Sequence, residues 1–291
     1  MIRAVLIYVG IPYVALIAIM GFGQRKLLYQ PTRTDKLQAS AYATPFVPIS
    51  DVELDVGDGL KLHGWKFPGA NSTESDPRYL VIYFPGNGGC RGDRVADGRD
   101  FRQLGYDVIL FDYRGYGDNP GSPTEVALAA DANCLWKFAT EDLQFPPHRI
   151  VIFGESLGGA VATRLTAERC QAGTPPAALI LNSTFASLAE TVAWRFPMFP
   201  FQYLLLDRYP SVERIPQVTC PLLQYHGTVD STIAFSHGRR LFDAAPAQSA
   251  SGIEKQFVPV PGGEHNFISM NDMQTGVAQL LKRVRGGEMA E

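Results

Sequence analysis

The chain has 291 residues, 46% apolar and 19% charged, with a formal net charge of -3. This balance supports a sizeable buried core and excludes a disordered chain, and the slightly acidic charge without a basic stripe excludes a nucleic-acid partner. The length suits one large α/β domain with insertions.

The first element is apolar. From Ala4 to Gly23 there is no charge, with Arg3 before the run and Arg25 and Lys26 after it. Roughly 20 such residues span a bilayer as a helix, so residues 1 to 25 read as an N-terminal, single-pass membrane anchor. Pro12 is tolerated in lipid where neighbouring groups re-satisfy the backbone, and Tyr29 stands where an interfacial aromatic belongs. A cleaved signal peptide is the rival reading, with Gly21-Phe22-Gly23 as its small-x-small site. Against it, the run is longer than a usual signal core and no Ala-x-Ala follows. Arg25, Lys26, Arg33 and Lys36 outnumber Arg3 and the terminal amine, which leans the following domain towards the cytoplasm. Cys90, Cys134, Cys170 and Cys220 form no CxxC pair, which fits a reducing compartment.

Residues 26 to 45 are polar and contain proline, an interfacial linker before a globular domain over 46 to 291. Anchor and domain occupy separate parts of the chain. Removal of residues 1 to 30 is therefore expected to free the domain from membranes without disabling it.

VELDV and KLHGWKF flank Gly57-Asp58-Gly59, a hairpin turn. The pattern then changes to short apolar runs separated by amphipathic stretches: YLVIYF, a helix around 93 to 104, DVILF, a helix around 124 to 140, RIVIF, and a helix after Ser156. AALILN, PLLQYH and KQFVPV continue the series. Such alternation predicts an α/β fold with a mainly parallel central sheet flanked by helices.

In sheets of this kind ligands meet the loops at the carboxyl ends of the strands. Here those loops are PGNGG (85 to 89), DYRGYGD (112 to 118), GESLGG (154 to 159), GTVD (227 to 230) and PGGEHNF (261 to 267). Three of them supply Ser156, Asp230 and His265, in the order nucleophile, acid, base. A serine hydroxyl is a weak nucleophile unless it projects into a site and reaches a base. A strand-turn-helix elbow makes it project, and Gly154 and Gly158 lack the side chains that would collide across the bend. His265 would take the proton of Ser156, and Asp230 would fix the imidazole tautomer. The backbone N–H groups of Asn87 and Leu157 are the candidate oxyanion donors.

These motifs, together with QRKLLYQP and the FPMFPFQYLLLDRYPSV region, resemble the membrane-anchored Bem46-like and ABHD13-like branch of the α/β-hydrolase superfamily over most of the chain. The resemblance implies an α/β-hydrolase fold with an N-terminal transmembrane helix, a small cap-like insertion over 187 to 209, and Ser156, Asp230 and His265 as catalytic triad. One departure is visible: the family commonly has His-Gly-Asn at the oxyanion loop, where this chain has Pro85-Gly86-Asn87.

Other features read more plainly. Asp112 and Arg114 are a structural turn and ion pair. His63, His148, His226 and His237 have no metal-ligand spacing, so neither metal nor cofactor is expected. Cys90 reads as a buried structural thiol. The aromatic segment from Ser187 to Tyr209 is either a helix-loop-helix packed on the sheet or a cap. In the second case its apolar side lines an acyl pocket or faces lipid, with Trp194, Phe199 and Phe201 as candidate substrate contacts.

Together these readings describe a serine hydrolase acting through an acyl-enzyme on an ester or thioester of a hydrophobic acyl group, a lipid or an acylated protein, near a membrane. A peptidase or amidase of the same fold is the alternative within enzymes. A membrane-tethered interaction scaffold with a vestigial site is the alternative outside them.

Overall fold

Every residue of the runs LVIYF (80 to 84), DVILF (107 to 111) and ALILN (178 to 182) is buried. Strands covered by helices on both faces read as continuous apolar runs for this reason. The computed structural model describes residues 6–57, 59–70, 78–265 and 270–288. Arg3, Ala4, Asp58 of the hairpin turn and residues 266 and 267 of the histidine loop lie outside the described residues.

An apolar helix α1 (Ile11–Leu28), preceded by a π turn (Leu6–Gly10), leads into a two-residue strand β1 (Gln30–Pro31). The hairpin β2 (Ser50–Asp55) and β3 (Lys61–Phe67) follows, then β4 (Leu80–Phe84), β5 (Gly88–Gly89), α2 (Val95–Gln103), β6 (Asp107–Phe111) and α3 (Glu125–Lys137). Next come β7 (Ile150–Glu155), α4 (Leu157–Gln171), β8 (Ala178–Asn182) and the short helices α5 (Leu188–Arg195), α6 (Phe201–Leu204) and α7 (Ser211–Arg214). β9 (Leu222–Gly227), α8 (Phe235–Ala244), β10 (Gln256–Val260) and α9 (Met270–Glu288) complete the order.

Eight strands form one sheet in the order β10-β9-β8-β7-β4-β6-β3-β2. β2 and β3 are antiparallel and join the edge through β6, while the remaining pairings are parallel. The period of two divides the core. Leu80, Ile82, Ile109, Ile152 and Leu181 pack with Leu128, Leu165 and Leu241 of α3, α4 and α8. Val81, Leu110, Val151, Phe153 and Ile180 pack on the other face with Phe101 of α2 and Val277 and Leu280 of α9. Local caps set the helix starts: the Thr124 hydroxyl accepts from the Ala127 amide (3.0 Å), and that of Ser187 from the Glu190 amide (3.2 Å), each satisfying an otherwise orphaned N–H.

The stretch expected as an interfacial linker is instead folded onto the sheet edge. Tyr29 is only 4% exposed, its hydroxyl 2.8 Å from that of Tyr209, so it is a core residue rather than an interfacial one. β1 pairs in parallel with β5, and Thr34 N–H donates to the Gly117 carbonyl at 3.0 Å. The buried Arg91 guanidinium ties the next residues down, donating to Asp112 and Asp118 at 2.6 Å each and to the Leu37 carbonyl at 2.7 Å. Asp112 and Arg114 therefore do not pair with each other: Arg114 is bonded to Asp131.

Residues Ile7–Leu28 form a 22-residue helical stretch long and apolar enough to cross a membrane, with none of it buried. Both ends of α1 contact the segment after β8. Tyr13 Oη donates to the Met198 carbonyl (3.0 Å), Gln24 bonds both the Leu204 carbonyl (3.1 Å) and the Leu206 amide (2.7 Å), and Arg25 meets Asp207 at 2.8 Å.

Removing one partner of a buried ion pair costs about 3–5 kcal/mol, because the other charges stay buried. Arg91→Ala is therefore expected to lower the unfolding free energy by that amount, measured by urea titration of tryptophan fluorescence. A change below about 1 kcal/mol, the size of an exposed pair, would contradict this account of the sheet edge.

Candidate active site

Ser156 lies between β7 and α4 with φ 51° and ψ -116°, a backbone state that a non-glycine residue holds only when its surroundings enforce it. The enforcement is visible. Ser156 N–H donates to the Asn182 carbonyl (2.9 Å), and its carbonyl accepts from Gly159 N–H (3.0 Å) and the Thr184 hydroxyl (2.7 Å). Two glycines make the approach possible: a Cβ at Gly154 would lie 2.6 Å from the Gly158 carbonyl oxygen, and one at Gly158 would collide with the carbonyls of Phe84 and Pro85. The bend seats the start of α4 against the end of β4. There the Leu157 amide opens a helix whose first N–H groups have no intrahelical acceptor.

Parallel pairing brings the ends of β9 and β10 to the same edge. His265 Nε2 is 3.0 Å from Ser156 Oγ, and its Nδ1 is 2.8 Å from Asp230 Oδ2. A carboxylate only accepts, so Nδ1 carries the proton and Nε2 accepts from the serine hydroxyl. Asp230 also caps the turn after it, Oδ1 taking the amides of Thr232 (2.9 Å) and Ile233 (2.8 Å). Burial alone would raise the Asp230 carboxyl, but the bonds from His265, Ile233 and Thr232 outweigh it and hold the group below the usual carboxylate range. Glu264 bridges the two loops by accepting from the Ser231 hydroxyl at 3.0 Å.

A second histidine adjoins this row. His226 Nε2 lies 3.5 Å from Asp230 Oδ2, but it donates to the Ile233 carbonyl at 2.9 Å. Burial depresses the basicity of its ring. A neutral, fully buried imidazole does not compete for the Asp230 charge.

Loop 85–89 stands opposite the elbow, with Gly86 close enough that a Cβ there would sit 3.6 Å from Ser156 Cβ. Several of its acceptors are occupied by neighbouring segments. The Pro85 carbonyl takes Tyr113 Oη (2.8 Å), and the Asn87 carbonyl takes Tyr116 Oη (2.8 Å) and Gln30 N–H (2.9 Å). The Asn87 side chain donates to the Leu28 carbonyl at 2.7 Å. Two tyrosines of DYRGYG and the chain just after α1 thus brace the loop, a support that the sequence reading did not anticipate. Residues 1 to 30 include Leu28 and Gln30, two of these contacts, so their removal is expected to loosen the loop.

Two cavities lie on this side of the molecule. One, about 720 Å³, is lined by Ser156, His265, Arg94, Asp97 and Glu155 among others. Arg94 pairs with Glu155 at 3.2 Å, and burial together with the Glu155 charge pushes Asp97 up to about 6. The other, about 650 Å³, is mostly apolar and runs beneath α1 and α5. Asn87 and Thr232 line both, so the cavities adjoin at these two residues, and Ser156 lines the polar one.

The profile of the alpha/beta hydrolase fold family matches residues 79–231. The chain belongs to this family. An uncharacterized protein of Mycobacterium tuberculosis is 41% identical over 272 residues, covering 90% of each chain. The lysophosphatidylserine lipase ABHD12 of Danio rerio is 36% identical over 209 residues, covering 65% of this chain and 54% of the lipase; the chain thus spans about half of that relative. An esterase of Pyrococcus furiosus superposes with a TM-score of 0.63 at 17% identity, covering 88% of this chain and 97% of the esterase, a likeness of fold.

In this α/β hydrolase the three aromatic residues named as substrate contacts separate. Phe201 is buried and lines the apolar cavity. Phe199 instead stacks between Tyr13 (5.4 Å) and Phe201 (4.9 Å), and Trp194, 45% exposed, leans on His237. Neither lines the cavity, because α5 turns Thr191, Val192 and Arg195 towards it instead. The aromatic segment combines its two readings: Leu188 and Phe201 are buried, whereas Met198, Tyr203 and Leu206 are exposed.

The Asp230 carboxyl carries a pH signature. Its folded pKa is depressed, so the unfolded chain binds more protons between the two values and stability rises with pH across that window. The contribution is complete above about pH 4, the ordinary carboxylate value, and is lost as pH falls through the folded value. The stability difference between wild type and Asp230→Asn is expected to shrink on acidification below about pH 4, measured by denaturant titration. A difference that grows instead would show that the bonds to Asp230 do not favour its charged form.

Proposed function

We propose that this hydrolase cleaves an ester or thioester of a hydrophobic acyl group, with Ser156 as nucleophile, His265 as general base and acid, and Asp230 as its orienting partner. The observation that carries the reading is the continuous row from Ser156 Oγ through His265 to Asp230, at 3.0 and 2.8 Å, in a polar cavity that adjoins an apolar one at Asn87 and Thr232. Ser156 Oγ attacks the acyl carbonyl carbon as its proton passes to His265 Nε2. The N–H groups of Asn87 and Leu157 receive the oxyanion. Collapse expels the alcohol or thiol, which leaves with the proton from His265, and water then cleaves the acyl-enzyme by the same relay in reverse.

The named activities of the lipase and esterase relatives support an ester as substrate, and the two cavities suit an amphiphile whose acyl chain and polar portion part at Ser156. The exposed apolar helix α1 supports a membrane location, with residues 1 to 25 as the anchor. The catalytic body, however, begins with Tyr29 rather than near residue 46. Of the cations flanking the anchor, Arg25 is bonded to Asp207 and Arg33 to the Gly115 carbonyl, so both also serve the fold.

Ser156→Ala is expected to reduce hydrolysis of a short p-nitrophenyl ester by roughly 10⁴-fold or more, the size of a triad-member loss, and to abolish labelling by a fluorophosphonate probe. Circular dichroism of the variant should match wild type. Full activity in a folded Ser156→Ala protein would eliminate the proposed nucleophile, and a wild type that neither labels nor hydrolyses esters, thioesters or peptides would favour the scaffold.

A further inference from the structure

We propose that α1 is more than a tether: one stripe of it forms the outer wall of the acyl-binding chamber, so the membrane helix itself limits the length of acyl chain that reaches Ser156. This rests on the reading of Ser156 as an acyl-ester nucleophile.

Met20, Gly21, Gln24, Leu27 and Leu28 line the cavity of about 650 Å³ beneath the helix. Their spacing of i, i+1, i+4, i+7 and i+8 is that of one helical face. Val192, Phe201 and Leu205 lie across from them, so carbon surfaces face each other over the space. Gln24, the polar member of the stripe, spends both ends of its amide on the protein: its nitrogen donates to the Gly21 and Leu204 carbonyls (2.6 and 3.1 Å), and its oxygen accepts from the Leu206 amide (2.7 Å). The rest of the stripe suits methylene groups.

A tether needs no defined contact with the domain it holds. This helix has several, from Tyr13 to Met198, Gln24 to Leu204 and Leu206, and Arg25 to Asp207, and they fix the stripe over the cavity. The occupant follows from adjacency. Asn87 and Thr232 line both the chamber and the cavity that holds Ser156, and the chamber's far wall belongs to a helix apolar enough to stand in lipid. An acyl chain suits both sides.

Gly21 is the point at which the wall can be altered. A Cβ there would face Leu204 Cδ1 at 4.0 Å, so a small added group is accommodated and a large one must occupy the chamber. Phe22, its neighbour, is 95% exposed and serves as the control.

The experiment uses full-length protein in nanodiscs and p-nitrophenyl esters from acetate to palmitate. Each buried methylene is worth about fourfold in affinity, so blocking a few positions should lower the palmitate-to-acetate ratio of kcat/KM by about tenfold or more in Gly21→Trp. A smaller fall is expected in Gly21→Leu and none in Phe22→Trp. If turnover depends on Ser156 and the ratio is unchanged in both folded Gly21 variants, or falls equally in Phe22→Trp, the wall is overturned while the nucleophile stands. If short-ester turnover survives Ser156→Ala in folded protein, the underlying reading fails and the wall fails with it.

Discussion

The backbone of Ser156 can hold its positive φ only because α4 starts almost in contact with the ends of β4 and β7. A residue in such a state costs about 1–3 kcal/mol, and the bonds to Asn182, Gly159 and Thr184 are what hold it there. The close approach depends on two missing side chains, at Gly154 and Gly158. From it follow the projection of the hydroxyl, the seat of the helix N-terminus beside it, and the place of loop 85–89 across the gap. Strand order then does the rest, since β9 and β10 run parallel to β7 and deliver Asp230 and His265 to the same edge.

Loop 85–89 contains three glycines and would be mobile if left alone. It is held by groups from separate parts of the chain: Tyr113 and Tyr116 after β6, Leu28 at the end of α1 and Gln30 just after it. The departure at Pro85 is absorbed here, because the contact at that position is made by its carbonyl, which proline retains. The end of α1 and the segment leaving it therefore contact the loop proposed to hold the oxyanion, and the apolar helix and the site geometry share residues. That coupling gives physical content to the proximity of an apolar helix and a hydrolase site in one small chain.

Much of this was legible in sequence where the cause is local. Apolar runs of five or six residues marked the strands, Thr124 and the stretch after Ser156 marked helix starts, and the order of strand-end loops placed Ser156, Asp230 and His265 along one edge. What stayed hidden was set by pairings distant in sequence. Tyr29 meets Tyr209 across 180 residues, and nothing near Tyr29 separates a buried aromatic from an interfacial one. Asp112 and Arg114 read as one turn and ion pair, yet their partners, Arg91 and Asp131, come from other loops and helices. Composition also flagged the aromatic segment without saying which face turns inward, and so Phe201 reaches the cavity while Trp194 and Phe199 do not.

The central claim is that chemistry passes through an acyl group carried on Ser156. Its most direct measurement is rapid acid quenching of the wild-type protein during turnover of a p-nitrophenyl ester, followed by peptide mapping in a mass spectrometer. The account predicts an early burst of nitrophenol and an acyl mass on the peptide containing Ser156. An acyl group on another residue, or ester cleavage with a burst that leaves Ser156 unmodified, would contradict it.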